Sequence, residues 1–367
     1  MRYRHSRAYS QRGAALVVAL LIFALCAALV VAMAHEFNRY YERSANILLS
    51  EQASAYLRGA EALAVLALKA DFDAQDPQNP RDDLMEFWAQ PPDPYVLEDG
   101  GLMEGCLYDL QGRFNLNLLA ERVTRSTDEE QNNQPDHTPA QAQFIRLLQA
   151  LGEPQVSLEQ ARQITEAITD WLDPDMEPTF EGAEDDFYFG LSPGYRTANR
   201  PMASISELRA VAGMSPEVYR ALEPYVTVWP QSPAVMNIHT APAMLLRTLN
   251  EDKDLNPLSE SEGMALQEQQ RPPGPGFVDM EDFLNSSVLA GKQEQMQETI
   301  NLLGESSDYF LLSAEVTVAD RKTRLYSVLE RTGPQIKAIA RGPGVANIGP
   351  PSLGDGNRCT IPPSLDW

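Results

Sequence analysis

Acidic side chains are concentrated between Asp170 and Tyr188, in the stretch DWLDPDMEPTFEGAEDDFY. Four of them occupy relative positions 1, 3, 5 and 12, which is the spacing of oxygen ligands in a calcium-binding loop. The sixth position is Pro178, where an EF-hand has a glycine for its sharp turn, so the spacing does not predict a true EF-hand. The acids at the four positions are Asp173, Asp175, Glu177 and Glu184.

Two interpretations of this acidic stretch are open. It can be a loop that binds one or two calcium ions, because crowded carboxylates repel one another unless cations lie between them. It can also be an acidic surface loop that helps to keep an exported domain soluble. The first interpretation predicts a structural Ca²⁺ with ligands drawn from Asp173, Asp175, Glu184, Asp185 and Asp186.

Signatures of catalysis are missing from the sequence. It contains no H-E-x-x-H, no G-x-S-x-G and no P-loop pattern. The four histidines are scattered, and only His239 falls in a segment that is expected to be structured, where contacts within the helical region would satisfy it. We therefore expect a protein that is not an enzyme.

Two segments, 205–226 and 235–249, resemble helix-hairpin-helix units, which in many proteins bind DNA backbones. The formal net charge of the chain is −23, and no basic patch flanks either segment. A negative surface repels phosphates, so nucleic acid is not an expected partner. The segments are better explained as compact helical packing units.

The N-terminal region predicts a membrane anchor. Residues 14–34 form an uncharged run of 21 residues, which at about 1.5 Å per residue is long enough to cross a bilayer core of about 30 Å. The residues before it include four arginines and no acid. This charge distribution predicts a cytoplasmic N-terminus with the remainder of the chain on the other side of the membrane.

Three interpretations of this anchor compete. A cleaved signal peptide would have a shorter apolar run, and a plain anchor leaves Gly13 unexplained. The third is cleavage between Gly13 and Ala14 with retention of the helix, which resembles the substrates of prepilin peptidase. Pilin-like proteins usually carry glutamate as the fifth mature residue, and that position is Val18 here. A buried carboxylate needs a partner, so its absence indicates a subunit with no earlier neighbour, at the tip of a fibre.

The pattern beyond the membrane predicts a continuing amphipathic helix to about Ala70. Two strand groups follow, at 102–119 with a turn at Gln111–Gly112 and at 308–332, and each is too small to stand alone. One antiparallel sheet interrupted by a helical insertion is therefore expected. The apolar face of the helix is predicted to comprise Phe37, Tyr41, Ala45, Leu48, Tyr56, Ala60, Leu63 and Ala67.

Two of the three cysteines, Cys106 and Cys359, fall in the exported part, where a disulfide can form. Their separation in sequence does not establish contact, so a disulfide and two unpaired buried thiols both remain possible. The residues after 332 are rich in proline and glycine, which predicts an irregular C-terminal tail.

Several motifs together resemble one family, the minor pseudopilin K of bacterial type II secretion. The resemblance covers most of residues 12–332. It implies an α+β fold, in which a long N-terminal helix packs on a small antiparallel sheet with a large all-helical insertion of helix-hairpin-helix (SAM-like) units. The motifs are RGAALVVALL without the glutamate, DLQGRFNLNLL, ITDWLDPD, GAEDDFY, RTANRPMASISELRAVAGM and MNIHTAPAMLL.

The resemblance also implies a function and partners. The family assembles with minor pseudopilins I and J at the tip of a periplasmic pseudopilus, above the major pseudopilin, and carries a calcium-binding loop. It implies leader cleavage, methylation of the new N-terminus, an inner-membrane assembly platform as partner, and a single-pass protein of the inner membrane with a periplasmic head. The tip would initiate assembly and support export of folded proteins across the outer membrane. The alternative is a membrane-anchored calcium-dependent binding module or enzyme unrelated to secretion.

The predicted organisation has six parts. These are a leader at 1–13, a transmembrane and amphipathic helix at 14–70, the first part of the pilin-like domain at 71–120, the inserted helical domain at 121–305, returning strands at 306–332, and the tail at 333–367.

Overall fold

The computed structural model describes residues 12–90, 93–98, 101–122, 137–270, 276–319 and 321–342. The described helices are α1 (Arg12–Ala74), α2 (Pro139–Ala150), α3 (Leu158–Leu172), α4 (Asp185–Phe189), α5 (Pro216–Leu222), α6 (Ala243–Leu246), α7 (Glu260–Gln270), α8 (Met280–Leu284) and α9 (Gln297–Ile300). The described strands are β1 (Tyr95–Val96), β2 (Leu102–Asp109), β3 (Phe114–Asn115), β4 (Val226–Thr227), β5 (Met236–Asn237), β6 (Leu303–Gly304), β7 (Tyr309–Val318), β8 (Arg321–Thr332) and β9 (Gln335–Arg341).

Helix α1 runs without interruption for 63 residues, a length of about 95 Å. Among the described residues it is the one helix long and apolar enough to cross a membrane, and its most apolar part is entirely unburied. The C-terminal part of the helix packs on the sheet. Helix α1 therefore has an unburied apolar half that fits a membrane anchor, and a second half that docks on the sheet.

The face of α1 that docks on the sheet is only partly the one predicted, since Tyr56 and Ala60 pack against the sheet. Among the predicted residues Ala60 is buried, whereas Leu48 and Leu63 are exposed. The helix is apolar on more than one side, and the sheet selects the side whose alanines allow close approach. The residues of α1 that are buried against the sheet are Ala53, Leu57, Ala60, Ala64 and Leu68.

A single five-stranded antiparallel sheet has the order β1-β2-β7-β8-β9. Strands β2 and β7 are far apart in the sequence, yet they pair over eight residues, from Leu102↔Thr317 to Asp109↔Phe310. This pairing confirms one sheet interrupted by an insertion. The side chains of β7 alternate as predicted, and one set packs against α1: Phe310, Leu312, Ala314, Val316 and Val318.

The predicted hairpin at 102–119 is wrong in its second strand. Strand β3 leaves the sheet and pairs in parallel with β4. The turn lies against the inserted domain instead. The backbone at Gly112 approaches Thr240 so closely that a Cβ atom there would lie 2.6 Å from the hydroxyl oxygen of Thr240.

The prediction of an irregular tail is wrong for residues 335–341, which form the edge strand β9. The prolines and glycines flank this segment and do not interrupt it. Within it Ile336 and Ala338 alternate with polar residues and pack toward α1. The prediction missed this strand because it used the average composition of the longer tail, although residues 335–341 alternate with a period of two.

The inserted domain lies between β2 and β7 and is mainly helical, as predicted, with two short parallel strand pairs, β3–β4 and β5–β6. Helices α2 and α3 begin with capping boxes, in which Thr138 pairs with Gln141 and Ser157 with Gln160. The reciprocal bonds satisfy backbone N–H groups at the helix starts. The core of the insertion is continuous with the sheet face opposite α1, which supplies Leu311, Tyr326 and Val328.

A buried polar junction connects the end of α1, the sheet and the insertion. Arg331 of β8, only 4% exposed, contacts the carboxylates of Asp71 and Asp82 and donates to the carbonyl of Ser307. Asp82 in turn accepts from the backbone N–H of Ser307, and Asn237 donates to the carbonyl of Asp82. The insertion is thus joined to the end of α1 that lies away from the membrane anchor.

Glu86, close to this junction, makes stability depend on pH. Its carboxylate accepts from the Trp88 ring N–H at 2.7 Å and from the backbone N–H of Asp83. Burial, together with smaller effects of the nearby carboxylates of Asp71 and Asp82, raises the pKa of Glu86 to about 7. A raised acid pKa means that the folded state holds the proton more strongly than the unfolded state does. The contribution of Glu86 to the free energy of unfolding is therefore complete below about pH 4.5 and is lost as the pH rises through 7.

We expect the free energy of unfolding to fall by about 2 kcal/mol between pH 5 and pH 8. Glu86→Gln keeps an acceptor for Trp88 and should remove this contribution, whereas Asp71 and Asp173, whose pKa values burial raises to about 6, keep a residual slope of the same sign. Denaturant unfolding at several pH values measures the effect, with exposed Glu98→Gln as the control. Equal slopes in the two variants would contradict the assignment.

Cys106 on β2 is disulfide-bonded, whereas Cys26 is a free thiol exposed on α1. The predicted partner, Cys359, lies outside the described residues. We expect non-reducing peptide mapping of the exported protein to recover one linked peptide that contains Cys106 and Cys359. Recovery of Cys359 as a free thiol would refute the pairing.

Candidate cation site

The acidic stretch follows directly from the end of α3. Asp173 is the first residue after this helix, and Glu184 is the N-cap of α4. Asp173, Asp175 and Glu184 each offer a carboxylate oxygen, and these oxygens all lie within 4.8 Å of one another. Three of the five predicted ligands are therefore brought together, and we call them the carboxylate triad.

Two members of the triad are buried, and they carry unsatisfied oxygens. Asp173 is 2% exposed and Glu184 is 4% exposed. Neither oxygen of Asp173 nor Oε1 of Glu184 has a hydrogen-bond partner among the described residues. Burial raises the pKa of Asp173 to about 6 and also raises the pKa of Glu184. Buried acceptors without donors are rare in native proteins, so the triad has the properties of a site completed by a cation.

Arg122 supplies positive charge beside the triad. Its guanidinium contacts Asp173, and it lies 2.9 Å from Asp170 Oδ1 and 3.2 Å from Asp175 Oδ1. The contact with Asp173 lacks hydrogen-bond geometry, since Nε of Arg122 is also without a hydrogen-bond partner. One monovalent guanidinium does not satisfy this group of carboxylates.

The loop around the triad closes on Asp170, which is fully buried. Its carboxylate accepts from the backbone N–H and the hydroxyl of Thr179, at 3.1 and 3.2 Å. A Cβ atom at Gly182 would lie 2.0 Å from Asp170 Oδ2. Glycine is therefore required there for the loop to approach Asp170, and the loop conformation brings Glu184 back toward Asp173.

The other predicted ligands lie outside the triad. Asp185 accepts from the backbone N–H and the hydroxyl of Thr197, at 3.1 and 3.0 Å, which occupies one of its oxygens. Asp186 and Glu177 are exposed at the surface. Sequence reasoning also missed Asp170 and Arg122 as neighbours of the site. Arg122 is distant in the chain and has no local signal, whereas Asp170 could have been suspected from its place in the same acidic stretch.

The chemistry of the triad suits a hard divalent cation. Ca²⁺ accepts six to eight oxygen ligands at about 2.3–2.6 Å in variable geometry. Asp173, Asp175 and Glu184 supply carboxylate oxygens from two ends of a loop, and further ligands can come from backbone carbonyls and water. The unsatisfied oxygens of Asp173 and Glu184 fit this ion.

A second group of carboxylates, Asp71, Asp82 and Glu86, also lies within 4.8 Å. Arg331 already contacts two of them, which explains this group as an ion-pair junction. His239 is buried, and burial lowers its pKa to about 4. It is a neutral side chain with Nε2 3.4 Å from Glu305, which agrees with the predicted structural role.

At the other end of the molecule, Gly13 and Ala14 lie within α1, which begins at Arg12. The leader residues 1–11 are outside the described residues. Val18 is 57% exposed on the apolar part of the helix. Cleavage after Gly13 stays a prediction.

These features define a class of protein: a membrane-anchored, pilin-like subunit whose sheet carries an inserted helical domain with an acidic loop. A family model described as "Type II secretion system (T2SS), protein K" matches residues 112–231. A type II secretion system protein K from Pectobacterium carotovorum subsp. carotovorum is 33% identical over 336 residues, which cover 90% of this chain and 96% of the relative. The protein K of Klebsiella pneumoniae is also 33% identical, over 92% of this chain and 98% of that protein.

A solved structure from enterotoxigenic Escherichia coli agrees with the sequence matches. It is the crystal structure of a GspK-GspI-GspJ complex, and one of its chains superposes with a TM-score of 0.67 and 29% identity. The match covers 82% of this chain and 98% of that chain. The chain belongs to the type II secretion system protein K family and is a minor pseudopilin. This membership removes the alternative of a module unrelated to secretion.

Proposed function

We propose that this minor pseudopilin occupies the tip of the periplasmic pseudopilus, initiates its assembly and supports export of folded proteins across the outer membrane. The position of the inserted domain carries the proposal. The junction at Arg331 joins the insertion to the end of α1 farthest from the membrane anchor. A domain of this size above the sheet leaves no space for another subunit on that side, whereas subunits can still be added below.

The N-terminus of the proposed tip subunit has a matching chemistry. Prepilin peptidase would cleave between Gly13 and Ala14, and the new amine would be methylated. Val18 places no carboxylate near this amine, so the helix needs no earlier subunit to neutralise a buried acid. The subunit would then leave the inner-membrane assembly platform first and prime addition of the major pseudopilin below it.

Minor pseudopilins I and J are the proposed partners in the tip complex. The related chain of known structure is part of a GspK-GspI-GspJ complex. Beyond the membrane run, α1 keeps large apolar side chains exposed on the sides that do not face the sheet, among them Tyr41, Ile47, Leu63 and Leu66. Exposed apolar surface of this extent is typical of protein interfaces, and helices of partner subunits would cover it.

We also propose a structural Ca²⁺ held by Asp173, Asp175 and Glu184. Its charge would neutralise buried carboxylates that Arg122 alone does not satisfy. When bound, the ion would connect the end of α3 to the start of α4 and so fix the shape of the loop. Asp185 and Asp186 stay in the predicted ligand set only if the loop rearranges on binding.

Co-purification of the full-length chain with tagged I and J pseudopilins in detergent tests the tip complex. We expect all three to co-elute, and Leu63→Asp on the exposed side of α1 to reduce recovery at least tenfold. Met264→Asp, at an apolar residue of α7 that is 49% exposed against 56% for Leu63, is the control and should leave recovery unchanged. A parallel purification with a calcium chelator tests whether the ion matters for assembly. Elution of the wild-type chain alone under every condition would refute the tip complex.

A further inference from the structure

The pocket beside Arg113, at the base of the inserted domain, has no role in the function proposed above. We propose that it binds one small monovalent anion of the size of chloride. The ion would be the counter-charge of a buried arginine. This inference does not depend on the position of the subunit in the fibre.

Arg113 is a buried arginine whose two terminal nitrogens lack acceptors among the described residues. It is 3% exposed, and both terminal guanidinium nitrogens are buried and lack hydrogen-bond partners among the described residues. The fold satisfies another buried arginine fully, because Arg146 donates to the carbonyls of Asp254, Thr248 and Glu251 at 2.7, 3.0 and 2.6 Å. The contrast indicates that, within the described part of the chain, Arg113 lacks the partners that Arg146 has, and a bound group would complete it.

Asp109 and Glu223, the two acids that act electrostatically on Arg113, are hydrogen-bonded to other groups. Asp109 accepts from the hydroxyls of Ser307 and Thr240 and from the side-chain amide of Asn237. Glu223 accepts from the Tyr219 hydroxyl at 3.2 Å. Neither forms an ion pair with Arg113 within the described part of the chain. A buried charge is strongly unfavourable unless it is paired, so this region attracts an anion.

The pocket that Arg113 lines sets the size of that anion. Its walls come from residues 111–118, from residues 229–236 and from Leu302. The free space accommodates about one water-sized particle, and a halide is closer to this size than sulfate, phosphate or acetate. The polar side chains of Gln111, Asn115 and Gln143 share the lining with apolar groups such as Trp229 and Met236. A water molecule would also fit, but it would leave the charge of the guanidinium uncompensated.

Thermal unfolding of the full-length protein in detergent tests the site. Sodium chloride and sodium gluconate are compared at constant ionic strength, because gluconate is too large for the pocket. We expect chloride to raise the midpoint by about 2 °C or more and to saturate, as binding to the folded state alone predicts. Arg220→Met, at an exposed arginine of α5, should respond as the wild type does.

Arg113→Met should abolish the chloride effect and, in gluconate, should unfold at or above the wild-type midpoint, because it removes an unpaired buried charge. If Arg113→Met were less stable than the wild type by the same amount in chloride and in gluconate, protein groups or water would already satisfy the guanidinium. This result would overturn the proposal. Crystals of the wild-type protein soaked in bromide give a second measurement. An anomalous peak beside Arg113 is expected there, and its absence at saturating bromide would overturn the proposal as well.

Discussion

Replacing Arg331 with methionine should destabilise the protein by about 3–5 kcal/mol. Methionine has a similar length and no charge, so the substitution isolates the loss of the guanidinium. It leaves Asp71 and Asp82, 8% and 0% exposed in their side chains, without their cation. Two carboxylates left close together in a buried position must then take up a proton or admit water.

Arg341→Met is the matched control for this prediction. Arg341 also forms an ion pair with a carboxylate, Glu61, at 2.7 Å, but its side chain is 54% exposed. Exposed ion pairs of this kind contribute less than about 1 kcal/mol. Denaturant unfolding followed by tryptophan fluorescence gives both values. If the two variants lay within 1 kcal/mol of each other, the junction at Arg331 would not be the connection described here.

A double variant separates the cost of the unpaired charge from other effects. Adding Asp82→Asn to Arg331→Met removes one of the stranded carboxylates, and residues in one network couple strongly. We expect the double variant to be more stable than Arg331→Met alone. An additive loss would mean that the two residues act independently.

The sheet and its interruption could be predicted from the sequence because they depend on local patterns. Alternating residues such as Phe310, Leu312 and Ala314 specify a strand with one buried face, whatever its partner. The face of α1 could not be predicted, because the helix is apolar on several sides and the sheet decides between Ala60 and Leu63. Strand β9 was missed since its seven residues lie in a tail whose average composition favours irregular structure.

The junction and the surroundings of the triad depend on contacts between distant residues. Nothing near Arg331 in the sequence indicates that Asp71 and Asp82 will surround it, and the same holds for Arg122 and Asp173. The acidic stretch itself was visible because its carboxylates are close in the chain. The sequence placed Asp186 in the same predicted ligand set as Asp173, Asp175 and Glu184, and only the fold separates Asp186 from the other three.

Because the fold separates the carboxylate triad from Asp186, we expect a large effect on calcium affinity when the triad is changed. The double variant Asp173→Asn, Glu184→Gln should lower calcium affinity at least 100-fold, measured by isothermal titration calorimetry. In the wild-type protein, calcium at 100 times its dissociation constant should stabilise the fold by about 2.7 kcal/mol. The double variant should show no such gain, and a chelator should not change its unfolding midpoint.

Asp186→Asn is the control that distinguishes the fold from the spacing. Asp186 belongs to the ligand set predicted from the sequence, but it is exposed and lies outside the triad. Because long-range charge effects at an exposed site are screened, this variant should bind calcium within about threefold of the wild type. An equally large loss in Asp186→Asn would mean that the loop rearranges around the ion. Unchanged calcium binding in the double variant would mean that the ion does not bind at the triad. Arg122 would then be the permanent cation of this site, and the unsatisfied oxygens of Asp173 and Glu184 would have another partner.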